Sequence, residues 1–357
     1  MTVETHQGRA GAGRSRRKTG LAMTLIIISP FVCVLVAMCF GRYAVSISDV
    51  LGSIPLAFQT LGATIFDPSS QPVLTTSQTL VITSRMPRAL AAAAVGAALA
   101  IAGAAFQGVF RNPLVDSGML GVSNGAGFGA ALAIVFFGGG AMIYPMAFLF
   151  GVLAVALSYW IARVYRSTPT IMLVLGGVVV SSVFSALISL MKYIADPTTQ
   201  LPSIVYWLMG SLASVSWEDF WAVIAIVIGC VMLFCCSWRI DVLSMGDKEA
   251  RSLGVEVNRT KGIIVCGATL STAGAICMAG SVGWVGLVIP HIARMIVGSE
   301  SKRLLPASVA LGASFMVIVD TCARCIWASE VPLGILTALI GAPFFVYLLK
   351  KTRGGGW

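Results

Sequence analysis

Charged side chains are scarce in this sequence. Only 11% of its 357 residues are Asp, Glu, Lys or Arg, whereas 57% are hydrophobic, and the mean hydropathy is +0.92. Soluble globular domains carry roughly 25% charged residues, so this chain has too little polar surface to be covered by water. The composition excludes a soluble protein and predicts a polytopic membrane protein.

The sequence also lacks motifs for driving chemistry by itself. It contains no G-x-x-x-x-G-K-[ST] loop for ATP phosphates, no H-E-x-x-H and no plausible Ser-His-Asp set, which argues against a membrane enzyme. The predicted spans also lack the paired acids and histidines of a proton relay, which disfavours a secondary transporter. Asp320 is the one acid deep within a predicted span, and Arg324, one turn later, is positioned to pair with it. We expect no cofactor in this chain.

The net charge of +10 and the nine cysteines do not indicate a nucleic-acid or metal site. The basic residues lie in short runs between apolar segments, which fits loops at an anionic membrane surface, and no nucleic-acid motif is present. Most cysteines lie within apolar runs, where they act as small hydrophobic residues. Cys322 and Cys325 form one C-x-x-C spacing without a second pair, so no metal site is predicted.

Apolar segments long enough to cross a bilayer recur along the chain. A span needs about 20 apolar residues, and the eighth candidate is too short for an ordinary full crossing. The ten candidates are 21–40, 88–110, 117–137, 141–162, 170–191, 219–238, 262–281, 284–297, 304–327 and 333–349. A basic tail (1–20) precedes them; because no A-x-A cleavage site follows, we interpret 21–40 as a retained helix rather than a signal peptide. The expected layout is a single ten-helix transmembrane domain (21–350) between cytoplasmic tails at 1–20 and 351–357.

The basic residues are distributed asymmetrically between the two sides of these ten spans. With a cytoplasmic N-terminus, only five of the 24 basic residues lie outside, namely Arg42, Arg85, Arg88, Lys192 and Arg324. The remaining 19 (24 minus 5) lie in inner segments. The positive-inside rule therefore predicts a multi-pass protein of the inner (cytoplasmic) membrane with both termini in the cytoplasm.

An internal repeat points to transport. Residues 96–104 (G-A-A-L-A-I-A-G-A) and 267–275 (G-A-T-L-S-T-A-G-A) agree at six of nine positions. They belong to the second and seventh spans, and an offset of five spans makes the two halves run in opposite directions. Inverted repeats of this kind are a common transporter architecture.

The connection 239–261 is the longest predicted cytoplasmic loop. Its centre, M-G-D-K-E-A-R-S-L-G-V (245–255), predicts a short helix that begins at Asp247 and ends at a left-handed cap on Gly254. Ala250, Leu253 and Val255 are expected to form its apolar contact face. A solvated connector is the alternative interpretation of such a charged loop.

This loop resembles the coupling loop of the FecCD family, the type II ABC importer permeases for iron-siderophores, haem and cobalamin. Further stretches in the same order resemble the family's motifs and cover nearly the whole chain after residue 80. These are R-M-P-R-A-L (85–90), F-Q-G-V-F-R-N-P-L (106–114), L-G-V-S-N-G-A-G (120–127), Y-W-L-M-G-S-L (206–212), G-W-V-G-L-V-I-P-H-I-A-R (283–294), R-L-L-P (303–306) and P-L-G-I-L-T-A-L-I-G-A-P-F-F (332–345).

The resemblance implies an all-α fold of ten transmembrane helices built from inverted five-helix repeats. It further implies a homodimer that works with two cytoplasmic ATPase subunits, which bind ATP-Mg, and with an extracytoplasmic substrate-binding protein. In the family, arginines that match Arg85, Arg88 and Arg324 dock the binding protein. The loop that contacts the ATPase matches Gly246, Glu249, Ala250, Arg251, Leu253 and Gly254.

Four serines in the fifth span are candidates for the translocation pathway. Ser181, Ser185 and Ser189 recur every four residues, with Ser182 beside them, and form a polar stripe. A helix-packing face is the alternative interpretation, whereas the resemblance places this helix along the pathway. The expected cargo is a ferric-siderophore or related iron chelate, with haem or cobalamin as the alternative.

Overall fold

The computed structural model of the chain describes residues 4–41, 43–66, 73–163, 169–327 and 329–351. Their regular secondary structure is entirely helical. Arg42, Arg166 and Arg353, three of the basic residues counted above, lie outside the described residues, as does most of the predicted C-terminal tail.

Fifteen α-helices lie within the described ranges. In chain order they are α1 (Glu4–Cys39), α2 (Ile47–Phe66), α3 (Thr76–Leu80), α4 (Met86–Phe110), α5 (Val122–Phe137), α6 (Ile143–Ala162), α7 (Thr170–Ile194), α8 (Gln200–Met209), α9 (Trp221–Cys235), α10 (Ser237–Met245), α11 (Asp247–Ser252), α12 (Val257–Ala279), α13 (Val285–Val297), α14 (Ser301–Cys325) and α15 (Leu333–Lys351).

Ten apolar helical segments match the ten predicted spans. Seven are long and apolar enough to cross a membrane, and the three shorter ones are 122–137, 285–297 and 333–347. The eighth predicted span is one of these three, as its length indicated. Four α-helices were not predicted: α2, α3, α8 and α10. The last three are shorter than a span, and polar residues and two glycines interrupt the apolar pattern of α2.

The two repeat segments form the buried centre of the bundle. In the most apolar windows of the helical segments 76–110 and 257–279, 83% and 78% of residues are buried. Small residues allow neighbouring backbones to approach closely. A Cβ at Gly103 would overlap the Gly286 carbonyl, and a Cβ at the matching Gly274 would lie 2.9 Å from the Ala222 carbonyl oxygen. The glycines shared by the two repeats thus allow a neighbouring helix backbone to approach closely in both α4 and α12.

Contacts at the helix ends show that α4 and α12 run in opposite directions. The Ser211 amide donates to the carbonyl of Ala279 at the end of α12. Six residues later, the Trp217 indole donates to the Ile82 carbonyl just before α4, over 2.8 Å. The end of α12 and the start of α4 therefore share one face of the bundle, here called the outer face. The opposite face, which carries α10 and α11, is called the inner face.

Candidate functional site

The predicted coupling loop folds as two short helices, α10 and α11, on the inner face. Gly246 separates them with a φ of 137°, a conformation that residues with a Cβ rarely adopt. The Ala250 amide then donates to the Gly246 carbonyl over 2.9 Å and starts α11. The helix begins at Asp247, as the sequence predicts.

The end of α11 confirms the left-handed cap on Gly254, whose φ is 78°. The Gly254 amide donates to the Arg251 carbonyl over 3.0 Å, and the Val255 amide donates to the Ala250 carbonyl over 2.9 Å. These two bonds are those of a Schellman motif, which satisfies carbonyls left over at a helix end. The motif fixes the direction in which the chain enters α12.

The predicted apolar contact face of α11 is wrong in two of its three residues. Ala250 is fully buried and Val255 is 8% exposed, because α10 and α12 cover this side of the short helix. Leu253, by contrast, is 54% exposed, and Met245 at the end of α10 is 62% exposed. The surface that a partner can reach therefore includes the apolar Met245 and Leu253, with exposed polar residues and glycine beside them, namely Ser244, Lys248, Glu249, Arg251, Ser252 and Gly254.

A buried lysine anchors the start of α11. It is one of the basic residues of the predicted inner segments. The side chain of Lys261 is 0% exposed, and its Nζ lies 2.8 Å from Asp247 Oδ2. The same Nζ donates to Thr170 Oγ1 at 3.1 Å, at the start of α7. Lys261 thereby joins α11, α12 and α7.

The three arginines predicted to dock a partner are buried at the outer face. Arg85, Arg88 and Arg324 are only 5%, 8% and 8% exposed. Arg88 donates through Nε and Nη2 to the Asp320 carboxylate at 2.9–3.1 Å. It also donates to both oxygens of Glu330 at 2.8 and 2.9 Å. Arg88 therefore holds two carboxylates at once, each in a paired, charge-assisted arrangement.

The other two arginines fasten the end of α1. Arg85 donates to the carbonyls of Met38, Cys39 and Tyr43. Arg324 Nη2 donates to the Ala37 carbonyl over 2.8 Å. The expected pair of Arg324 with Asp320 is present, at 3.7 Å.

Docking through Arg85, Arg88 and Arg324 therefore stays a prediction, and the described chain shows these residues buried within the protein. In the described chain their guanidinium groups are engaged by carbonyls and carboxylates of α1, α14 and the segment after α14. A buried ion pair costs desolvation that only close partners offset, so these groups are held in place. Arg85, Arg88 and Arg324, with Asp320 and Glu330, are called the outer arginine cluster below.

The start of the second span also differs from the prediction. The predicted span starts at residue 88, but the helical segment already begins at Thr76, after a capping box made by Thr75 and Gln78. Pro87 lies in the first turn of α4. Residues 81–85 form a π-helical turn that joins α3 to α4. Pro87 has no amide hydrogen and its ring crowds the carbonyl four residues earlier, which accounts for the widened turn.

The serine stripe of α7 lies on an exposed face, apart from its first member. Ser182, Ser185 and Ser189 are exposed. The hydroxyl of Ser182 donates to the Val178 carbonyl over 2.9 Å and that of Ser189 to the Ser185 carbonyl over 3.0 Å. Ser181 is instead half-buried against α5, where its carbonyl accepts from Asn124 Nδ2 at 3.1 Å. Local bonds satisfy two of the exposed hydroxyls, and no exposed residue from 171 to 190 is charged.

A cavity of about 550 Å³ opens near the outer end of α12, among α5, α6 and α8. Tyr144 and Tyr206 line it, and their hydroxyls lie 3.3 and 3.0 Å from the Ser214 and Ser211 hydroxyls. Trp207 adds a further aromatic side chain, and none of the described lining residues is charged. The cavity is thus neutral and aromatic. Like the serine stripe, it also carries hydroxyl groups.

The whole-chain comparisons agree with this arrangement. Residues 25–351 match the sequence model of the FecCD transport family. The molybdate import system permease MolB of Haemophilus influenzae is 38% identical over 338 residues, covering 94% of this chain and 96% of that protein. The cobalamin import system permease BtuC of Halobacterium salinarum is 42% identical over 77% of this chain and 74% of its own length.

Two further comparisons concern metal chelates. An iron chelatin transport system permease of Helicobacter pylori is 38% identical over 77% of this chain and 83% of its own length. A solved structure of a metal-chelate type ABC transporter in an inward-facing conformation matches with a TM-score of 0.77 and 37% identity. It covers 93% of this chain and 98% of that one.

Proposed function

The chain belongs to the FecCD transport family and is the permease of an ABC importer, and from this premise we propose that its cargo is an iron chelate of the ferric-siderophore type. The observation that carries the proposal is the uncharged exposed face of α7, with its hydroxyls at Ser182, Ser185 and Ser189. A bulky chelate with its charge largely enclosed can slide along such a face. The neutral aromatic cavity at the outer face suits the same kind of cargo.

Cobalamin or haem is the second candidate, because these are also large and enclose their metal. The similarity to a cobalamin permease supports this alternative. Molybdate, which is named for another relative, is a small oxyanion, and oxyanions are typically bound by arginines or clustered amides. The described exposed face of α7 offers no arginine or lysine between residues 171 and 190, so molybdate is the less favoured cargo.

The proposed assembly contains two copies of this chain and two ATPase subunits against the inner face. The ATPase subunits would bind ATP-Mg, and this chain would supply the pathway without a nucleotide site of its own. Met245, Glu249, Arg251 and Leu253 are exposed on α10 and after Gly246, as contact with an ATPase requires. The buried Gly246 and Ala250 would shape this contact from within, and the exposed Gly254 would end α11 at its surface. The protein would lie in the cytoplasmic membrane with both termini in the cytoplasm.

We place docking of an extracytoplasmic substrate-binding protein on the outer face. Arg85, Arg88 and Arg324 would contribute indirectly there, because their internal bonds fix the ends of α1, α4 and α14 beneath the docking surface. Free guanidinium groups are not required for this role.

Reconstitution tests the cargo. The chain, its ATPase and its binding protein are placed in liposomes, and ATP-dependent uptake of a ⁵⁵Fe hydroxamate chelate, radiolabelled cobalamin and molybdate is compared. We expect the ferric chelate to be accumulated and to be displaced by unlabelled ferric chelate. Preferential accumulation of molybdate or cobalamin would overturn the cargo assignment, and uptake without ATP would support a secondary transporter instead.

A further inference from the structure

The first turns of two helices contact the buried Lys261 side chain, which lies near the start of a third helix on the inner face. Asp247 is the first residue of α11, Thr170 is the first residue of α7, and Lys261 is the fifth residue of α12. The Lys261 ammonium donates to the Asp247 carboxylate at 2.8 Å and to the Thr170 hydroxyl at 3.1 Å. The chain separates Lys261 from Thr170 by 91 positions, so this contact joins distant parts of the fold.

The burial of Lys261 distinguishes this contact from the surface ion pairs nearby. Arg259 and Glu256 pair at 3.8 Å with 78% and 77% of their side chains exposed. Arg303 and Glu300 pair at 3.5 Å and are also about half exposed. Water screens such pairs and they restrain little. The Lys261 side chain, in contrast, is fully buried, although that of Asp247 is 37% exposed. Inside a protein an ammonium that loses a close polar partner is costly, because water does not replace that partner.

The contact therefore forces the starts of α11 and α7 to move together. α11 carries the exposed Glu249, Arg251 and the adjoining Leu253, which a partner on the inner face can push. α7 carries the exposed serine stripe. We propose that Lys261 is a positioning residue that transmits displacement of α11 to α7 and so makes uptake depend on ATP hydrolysis. This inference rests on the proposed role of α11 as the ATPase contact.

A purely structural role for Lys261 has a different signature. If the contact only stabilised the fold, its loss would lower assembly, hydrolysis and uptake in parallel. If it transmits displacement, the complex still assembles and hydrolyses ATP, but uptake per ATP falls. The ratio of uptake to hydrolysis separates the two roles.

The test uses the complete complex in liposomes with four forms of the chain. These are the wild type, Lys261→Met, the charge exchange Lys261→Asp with Asp247→Lys, and the control Arg303→Met, which removes an exposed cation of the same face. Copurified ATPase, ATP hydrolysis and ⁵⁵Fe hydroxamate uptake are measured on each preparation. Lys261→Met is expected to lower uptake per ATP roughly tenfold, within the usual range of coupling between sites. The charge exchange should recover most of the loss, and Arg303→Met should match the wild type.

An unchanged ratio in Lys261→Met, or a parallel loss of hydrolysis and uptake without recovery in the charge exchange, would overturn the proposal. If Lys261→Met fails to assemble, Thr170→Val decides, because it removes only the hydroxyl while preserving side-chain shape. A normal ratio in Thr170→Val then overturns the link to α7. If the wild type does not transport the ferric chelate, only the cargo assignment is contradicted. The ratio of uptake to ATP hydrolysis is then measured with cobalamin or molybdate, whichever the wild type transports.

Discussion

Replacing Arg88 by alanine should destabilise the folded chain more than any loss of a surface charge. Asp320 is 1% exposed and receives three hydrogen bonds from Arg88 at 2.9–3.1 Å. Without Arg88, its nearest remaining cation is Arg324 Nε at 3.7 Å. Removing one partner of a buried ion pair typically costs about 3–5 kcal/mol, because the other charge stays buried without compensation.

The matched control is Arg303→Ala. Arg303 pairs with Glu300 at 3.5 Å, but both side chains are about half exposed. Exposed pairs contribute about 0.2–1 kcal/mol. In a chain of this size one kcal/mol shifts the unfolding temperature by roughly 2 °C. Arg88→Ala should therefore lower the midpoint by on the order of 10 °C, and Arg303→Ala by about 2 °C or less.

The assay is the fraction of detergent-solubilised protein that stays monodisperse after heating to a series of temperatures. A third form, Arg88→Met with Asp320→Leu, replaces both charges by apolar groups and should recover much of the stability, since apolar replacement of a buried pair is often neutral. Equal midpoints for Arg88→Ala and Arg303→Ala would refute the reasoning. The Arg88 contacts would then have no energetic role.

Four further predictions concern transport. The chain purified alone in liposomes should hydrolyse no ATP, and clear turnover in a phosphate-release assay would contradict the proposed division of labour. Gly254→Val should abolish uptake while insertion persists, since a β-branched residue at a φ of 78° costs roughly 1–2 kcal/mol and displaces the cap of α11; normal coupled uptake would show that the loop is only a connector. Ala250→Trp should disturb α11 from its buried side, lowering ATPase copurification, whereas the exposed Leu253→Ala should weaken binding without disturbing the helix. Ser189→Leu should slow uptake of the ferric chelate with hydrolysis retained, and an unchanged initial rate would remove Ser189 from the pathway.

The sequence predicted what depends on local pattern. Runs of apolar residues located the ten spans, and the Gly254 cap followed from the residues just before it. The pairing of Asp320 with Arg324 followed from helical spacing. The internal partners of Arg88 and Lys261 were not predicted because they lie far away in sequence: 232 positions separate Arg88 from Asp320, and 91 separate Lys261 from Thr170. No periodicity rule reaches across such separations.

Two other errors have local causes. Ala250 and Val255 were assigned to a contact face because they are apolar, but in a six-residue helix the chain's own neighbours cover one side. The start of the second span was placed at residue 88, although the helical segment begins at Thr76 and Pro87 marks only the first turn of α4. The capping box at Thr75 and Gln78 is a stronger start signal, and it was present in the sequence.

The outer arginine cluster constrains the order in which the helices can pack during synthesis. Arg88 leaves the ribosome more than two hundred residues before Asp320 and Glu330, the two carboxylates that it binds in the folded chain. An unpaired arginine is costly within a bilayer, so the outer end of α4 stays at the water-exposed surface until α14 has been inserted. A nascent chain that stops short of residue 320 would leave Arg88 without its carboxylates, whereas the carbonyls that Arg85 binds have already been made. The carboxylates of Asp320 and Glu330 therefore neutralise Arg88 only after the helices between them have been made.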